Sequence, residues 1–204
     1  MKQFKKNIFA VTLLFAMNSQ SQNKALIEAF SQSYNYEAIA KYEAAISALN
    51  AFYSDKSYEI NLRLGWIHYL AGKNKESIGY YQKAIALMPA ATEPKWAIIN
   101  VFTKTENFNE IEKIYLSILK LDPKNATASY NLGLIYYYRK DYFSAKKYFD
   151  VALNLAPFAY NNLLMSAWTN YFLGNKNEAS ILFNKTLLYS PNDKSALEGL
   201  SLIK

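Results

Sequence analysis

Four of the five prolines in this 204-residue chain recur at a constant spacing. They are Pro89, Pro123, Pro157 and Pro191. A fixed period of about 34 residues is typical of repeat proteins, in which each unit buries its apolar face against its neighbours. The chain is therefore expected to fold as an array with a continuous core, without domain boundaries inside the array.

Other positions keep the same period. In the unit that ends near Pro157, the pattern consists of Leu132, Gly133, Tyr136, Ala145, Phe149 and Ala152. The equivalents are Leu64, Gly65, His68, Ser77, Tyr81 and Ala84; Ile98, Ile99, Phe102, Ile111, Tyr115 and Ile118; and Ser166, Ala167, Asn170, Ala179, Phe183 and Thr186. Apolar residues recur at steps of three and four, which predicts two amphipathic helices in each unit.

The breaks between these helices fall at residues that end helices. Gly72 and Gly174 can adopt the left-handed conformation after a first helix, and each recurring proline follows a second helix that it cannot continue. Gly133 and Ala145 are expected to be small because the backbones of the two helices approach closely there.

This pattern resembles the tetratricopeptide repeat. The resemblance covers units 58–91, 92–125, 126–159 and 160–193. It implies an all-α fold, a right-handed superhelical solenoid of antiparallel helix pairs. Proteins of this family bind other proteins, and the first helix of each unit lines the concave side.

Residues 22–204 are expected to form one helical repeat domain. The two ends of this domain match the repeat pattern less well than the four central units do. Ala38, Tyr42 and Ala45 repeat the spacing of the second helices, so residues 22–57 are interpreted as a degenerate pair. In that register, about five extra residues fall in the loop at 51–57. Residues 194–204 place Leu197, Leu200 and Leu202 on a helix that is expected to cap the array.

Residues 1–21 have the organisation of a secretory signal peptide. Lys2, Lys5 and Lys6 precede an apolar run from Ile8 to Met17, and small polar residues follow. The run is too short to span a bilayer comfortably. We expect cleavage after Ser21, with export to a bacterial periplasm or secretion and no stable membrane insertion afterwards. The alternative is a buried amphipathic first helix.

Charge and composition exclude several classes of function. The formal net charge of +7 includes the three lysines of the leader. The other lysines, such as Lys83, Lys113 and Lys147, lie on second helices, which face outward in the family that the chain resembles, so we expect a solvated face and no nucleic-acid partner. The chain has no cysteine and therefore no disulfide or thiolate metal site.

No active site is apparent. His68 is the single histidine and occupies a packing position of the repeat. The carboxylates lie near turns and helix starts, where they complement the helix dipole. We therefore expect no enzymatic activity, no cofactor and no metal.

The groove positions of the family carry aromatic residues in this chain. Each first helix contributes three positions with the spacing i, i+4, i+7, which form one stripe. The stripes are Leu62, Trp66 and Tyr69; Trp96, Asn100 and Thr103; Tyr130, Leu134 and Tyr137; and Leu164, Trp168 and Tyr171. These side chains either bind a partner or pack sideways between units. Trp96 is expected to be the most open tryptophan, because its stripe is otherwise polar.

The family's clamp for a partner's C-terminal carboxylate is incomplete. Asn100 and Asn131 match it, but Trp96, Asn161 and Met165 occupy its basic positions. The resemblance thus favours an apolar or aromatic segment of a protein or peptide over an acidic C-terminus. The leading interpretation is an exported scaffold in envelope assembly or secretion. The alternative is a carbohydrate or peptidoglycan-binding module that uses the same groove.

Overall fold

The computed structural model describes residues 23–203, so the signal peptide expected at residues 1–21 lies outside this range. The described part is helical and contains no strand. It forms two compact units, divided between Val101 and Phe102. The repeat pattern alone does not indicate this division.

The first unit contains α1 (23–38), α2 (Tyr42–Asn50), α3 (Tyr58–Leu70), α4 (Asn74–Leu87) and most of α5 (Glu93–Lys104). The second contains α6 (Phe108–Leu121), α7 (Ala126–Tyr138), α8 (Tyr142–Leu155), α9 (Tyr160–Phe172), α10 (Lys176–Tyr189) and α11 (Lys194–Ile203).

Consecutive helices pack as pairs: α3 with α4, α7 with α8, and α9 with α10. Short polar side chains help these helices to start. The Ser57, Asn125 and Asp141 side chains each accept a hydrogen bond from a first-turn backbone N–H of the helix that follows. The predicted all-α fold of antiparallel helix pairs is confirmed.

An aromatic ring of the second helix fills the space beside the small residue of the first. A Cβ atom built on Gly133 would lie 2.6 Å from Phe149 Cδ1, and one on Gly65 would lie 2.7 Å from Tyr81 Cδ1. The explanation expected for Gly133, close approach of two backbones, is therefore corrected: the Phe149 ring requires the glycine. The second helix does reach the first backbone at Ser77, whose Oγ donates to the Gly65 carbonyl oxygen at 2.7 Å.

One turn recurs between the helices of every pair. Gly72, Glu106, Lys140 and Gly174 lie one period apart in the sequence and have φ of 75°, 54°, 62° and 79°. The next N–H in each turn donates to the carbonyl oxygen five residues earlier, as in Lys73 to His68. The left-handed conformation predicted for Gly72 and Gly174 is confirmed, and the same conformation at Glu106 and Lys140 was not predicted.

The register expected for the degenerate pair is wrong. Ala40 has φ of 54° and occupies the place of Gly72, so this pair precedes the next by slightly less than one full period. Ala45 and Leu49, both fully buried, therefore take the places of Ser77 and Tyr81. The spacing is two residues short rather than five long. Helix α2 has only 9 residues while α4 has 14, and the longer connection from α2 to α3 offsets part of this difference.

Helix α11 packs against α10 and α9 at the end of the second unit. Its buried residues are Ala196 and Gly199, and Leu200 packs against the same core. Leu197 and Leu202 lie on this helix as expected but remain about half exposed. The helix approaches closely at Gly199, where a Cβ atom would overlap the Phe183 ring.

Candidate functional site

The groove positions of α3 place Leu62 and Tyr69 half-buried and Trp66 exposed to 36%. The Trp66 and Tyr69 ring centroids lie 5.7 Å apart. Trp66 Nε1 donates to Glu37 Oε1 on α1 at 2.7 Å. Trp66 is therefore held by one edge, while part of its ring faces solvent.

On α5, Trp96 is half-buried and Asn100 is exposed. Because Trp96 is less exposed than Trp66, the expectation that it is the most open tryptophan is wrong. The neighbouring Lys95 is buried, its Nζ donates to the Pro89 carbonyl oxygen, and burial lowers its pKa. Thr103, the last groove position of α5, is exposed and belongs to the second unit.

The groove positions of α7 and α9 are half-buried in the second unit. They are Tyr130, Asn131, Leu134, Tyr137, Leu164, Trp168 and Tyr171. Trp168 packs edge-on to Phe183 at 5.1 Å, and its Nε1 donates to Ser195 Oγ on α11 at 2.8 Å. One side of this tryptophan thus belongs to the packing between helices.

Burial raises the pKa of two tyrosines at the groove positions of α7. Burial, then the neighbouring Tyr142 and Tyr138, raise the pKa of Tyr137 to about 12. Burial also raises the pKa of Tyr130. Tyrosine phenols are neutral at physiological pH even without such a shift, and both can donate a hydrogen bond to a ligand.

Two aromatic residues outside the groove positions extend this surface. The Tyr142 and Phe172 rings stack at 4.6 Å, and Tyr137 lies 5.5 Å from Tyr142. The sequence contains a weak signal for Phe172. It lies one period after Tyr138, so the first helices α7 and α9 both end in an aromatic residue. Sequence reasoning missed them because they lie beside the groove positions of the family.

A cavity of about 450 Å³ lies between α6 and α7. Its apolar walls, Phe108, Ile111, Leu134, Ile135 and Tyr138, are joined by the polar residues Thr103, Asn131 and Arg139. Three predicted groove residues thus meet in this α6–α7 cavity.

The polar edge of the α6–α7 cavity is held by hydrogen bonds. Asn131 Nδ2 donates to the Thr127 carbonyl oxygen at 2.8 Å. Arg139 pairs with Glu112, and its Nη2 donates to Asn109 Oδ1 at 3.0 Å. Glu112 also accepts from the Tyr136 hydroxyl, which, together with the arginine, lowers the pKa of this carboxyl. The charge of Arg139 is therefore compensated by Glu112, and the remaining lining of the cavity is mostly apolar.

Two further cavities involve groove residues. The α1–α3 cavity of the first unit has a volume of about 480 Å³ and includes Leu62 and Trp66 in its lining. The α7–α9 cavity of the second unit, also about 480 Å³, is lined by Tyr130, Tyr160, Tyr189, Asn161 and Asn162 among others. Six of the predicted groove residues thus line three separate cavities, and the other seven do not line any of the three.

Residues 23–203 hold no cluster of three or more histidine, aspartate or glutamate side chains placed to bind a metal. None of their helices combines the length and apolar character needed to cross a bilayer. His68 is 7% exposed and stacks on Tyr80 at 5.0 Å, as expected for a packing residue.

The described residues thus form an all-α protein built from repeated helix pairs. Residues 30–92 and 126–159 match models of the tetratricopeptide repeat, so the chain contains tetratricopeptide repeats. A repeat of this kind provides a scaffold for protein–protein interactions. No curated protein sequence matches the chain significantly.

Solved structures share the fold. A tetratricopeptide repeat protein from Parabacteroides merdae is 22% identical with a TM-score of 0.70, over 88% of this chain and 72% of that one. MamA is 18% identical with a TM-score of 0.66, over 81% and 91%. YrrB, described as a tetratricopeptide protein with an unusual peptide-binding site, is 15% identical with a TM-score of 0.66, over 89% and 95%. These identities establish likeness of fold only.

Proposed function

We propose that this chain is a non-enzymatic scaffold that binds an apolar or aromatic segment of another protein. The observation that carries the proposal is the α6–α7 cavity, where the groove residues Thr103, Asn131 and Leu134 meet an apolar wall. Large apolar side chains that enter such pockets supply most of the energy of many protein interfaces. The peptide-binding site described for YrrB supports the same use of the fold.

Two exposed rings frame the α6–α7 cavity. Tyr138 is 76% exposed and Phe108 is 53% exposed. Burial of aromatic area in an interface is favourable, so a partner that covers both rings would gain binding energy. A partner side chain that enters the cavity would contact both rings and Leu134. Because the two rings are exposed, they would add to the binding affinity while contributing little to the stability of the fold.

The proposal includes export. The signal-peptide pattern of residues 1–21 supports a periplasmic or secreted scaffold that takes part in envelope assembly or secretion. Mass spectrometry of the protein from its native cells tests this part. A mature N-terminus after Ser21 in the envelope or secreted fraction is expected, and an intact leader on a cytoplasmic protein would contradict export.

Affinity capture tests the binding surface. The mature chain should retain a partner from envelope extracts, and a Phe108→Ala/Tyr138→Ala double variant should lose it. Phe143→Ala is the matched control, since Phe143 is 82% exposed but lies outside this cavity. Equal retention by the double variant and the wild-type chain would refute the α6–α7 cavity as the binding surface.

A second candidate function is glycan binding at the α7–α9 cavity. Tyrosine rings can stack on sugar rings, and the amides of Asn161 and Asn162 line the same space. Asn161 is exposed, whereas Asn162 Nδ2 donates to the Ala152 carbonyl oxygen at 2.9 Å. Soluble peptidoglycan fragments should shift the NMR signals of Tyr130 and Tyr160 under this function. Unchanged signals at millimolar fragment would exclude it.

A further inference from the structure

We infer that the α1–α3 cavity accepts a basic side chain, lysine or arginine, from the bound segment. The inference rests on the proposed function and specifies the chemistry of the partner at the first unit. It depends on three features of the cavity: aromatic rings, carboxylates without a basic partner, and a buried guanidinium with an unused donor.

Aromatic rings form much of the cavity lining, including Phe30, Tyr34, Tyr58, Trp66 and Tyr81. Trp66 is fixed by its hydrogen bond to Glu37, and Tyr58 by a 3.3 Å bond from its hydroxyl to Glu93 Oε2. Faces of tryptophan and tyrosine attract cations through the negative potential of their rings. Rings held in place in this way can enclose the aliphatic stem and the charge of a basic side chain.

Glu59 and Glu93 also line the cavity. Neither carboxylate forms an ion pair with a lysine or arginine of residues 23–203. The pKa of Tyr58 is raised, first by burial and then by the two carboxylates. Glu93 acts through its charge and its hydrogen bond, and Glu59 acts through its charge. The two carboxylates therefore create a negative potential inside the ring-lined space, and a cationic group would balance it.

The resident cation of this cavity does not neutralise them. Arg63 pairs with Glu37, and its Nε donates to Ser33 Oγ at 3.2 Å. Its side chain is only 6% exposed, and its Cζ lies 3.8 Å from the centre of the Tyr34 ring. Arg63 is thus committed to α1, which leaves an excess of negative charge for the ligand.

One donor of Arg63 remains unused. Its Nη2 is buried and has no hydrogen-bond partner among the described residues. An unpaired buried donor is unfavourable, and a peptide carbonyl oxygen would satisfy it. The exposed Tyr34 ring lies against this guanidinium, so a ligand carbonyl that reaches Nη2 would have to displace it. The site would then bind the carbonyl at Arg63 and the basic side chain at Glu59 and Glu93.

The test uses two blocked heptapeptides, Gly-Ser-Leu-Lys-Leu-Ser-Gly and the same peptide with norleucine in place of lysine. The two differ only in the charged group at the end of one side chain. Binding to the full mature chain is followed by the NMR signal of the Trp66 indole N–H. The lysine peptide should bind at least about threefold more tightly than the norleucine peptide.

A Glu59→Gln/Glu93→Gln double variant should abolish this difference between the two peptides. Both carboxylates are exposed, so the neutral variants are expected to fold. The Phe108→Ala/Tyr138→Ala variant should retain the difference, which separates this site from the α6–α7 cavity. Equal affinities for the two peptides, a lysine advantage that survives in the Gln variant, or no change at Trp66 would each overturn the inference. Partner capture through the α6–α7 cavity would then still stand.

Discussion

The Phe149 ring occupies the space that a side chain at Gly133 would need, since a Cβ atom at that position would lie 2.6 Å from Phe149 Cδ1. Phe149 is completely buried and cannot move toward solvent. We therefore expect Gly133→Leu to destabilise the protein by about 1 to 3 kcal/mol, as overpacking does in a filled core. The urea midpoint measures the change.

Gly79→Ala is the matched control for Gly133. Gly79 also lies inside a helix, but no atom lies within 4 Å of a Cβ built there. Alanine favours the helix by about 0.5 to 1 kcal/mol over glycine, so this variant should be more stable than the wild-type chain. Similar loss of stability in both variants would contradict the ring-on-glycine packing.

The recurring turn predicts opposite effects at equivalent positions. Glu106 and Lys140 have positive φ, which is unfavourable for a residue with a Cβ. Glu106→Gly and Lys140→Gly should therefore stabilise the protein by up to about 1 kcal/mol, after the entropy of glycine in the unfolded chain is included. Gly72→Ala should destabilise by about 1 kcal/mol. Thermal unfolding would contradict the assigned turns if all three variants changed in the same direction.

The buried His68 should make stability depend on pH. Burial, then the charge of Lys73, lower its pKa, although Glu76 and Glu43 oppose the shift. As pH falls below about 6.5, the unfolded chain therefore binds a proton at His68 more readily than the folded chain does. The contribution of neutral His68 to stability is complete above this pH and is lost progressively below it.

A His68→Phe variant tests this linkage, since Phe102 fills the equivalent position. The variant should lose less stability than the wild-type chain between pH 7 and pH 5, roughly the range in which an ordinary histidine titrates. Urea midpoints at both values give the comparison. Equal losses in the two proteins would show that His68 does not carry the acid sensitivity.

Trp168 should contribute to the stability of the fold. Trp168→Ala removes the contact with Phe183 and the hydrogen bond to Ser195, and we expect a loss of about 3 kcal/mol. Ser195→Ala removes only the hydrogen bond and should cost about 1 kcal/mol. Chemical unfolding distinguishes these effects, and a Trp168→Ala protein of unchanged stability would mean that this ring is free for a partner.

The constant period of the prolines was sufficient to predict the helix pairs, because second helices at Asn74, Phe108, Tyr142 and Lys176 follow it without deviation. It failed for α2. The apolar residues there also recur at steps of three and four, so a shift of seven residues gives a similar pattern with different residues inside. Only the turn at Ala40 determines the register, and alanine gives no sequence signal for a left-handed conformation.

The candidate surface was predicted less completely. The groove positions identified which residues lie together on each helix, but not which neighbours they contact. The hydrogen bond from Trp66 to Glu37 and the ion pair of Glu37 with Arg63 join residues that are distant in the sequence, in a region without a clear repeat pattern. Such contacts depend on the path of α1, which the spacing of apolar residues does not determine.

The turn shared by Gly72, Glu106, Lys140 and Gly174 has a consequence for how such a chain can diverge. Its shape is the same for a glycine, an acid and a base, because backbone hydrogen bonds form it in each case. Substitution at this position therefore changes stability by small steps without changing the path of the chain. An insertion or deletion beside it would instead displace the partner carbonyl groups. Copies of the unit can thus differ in residue type at this position while the turn itself is retained, as it is at Ala40 in the first pair.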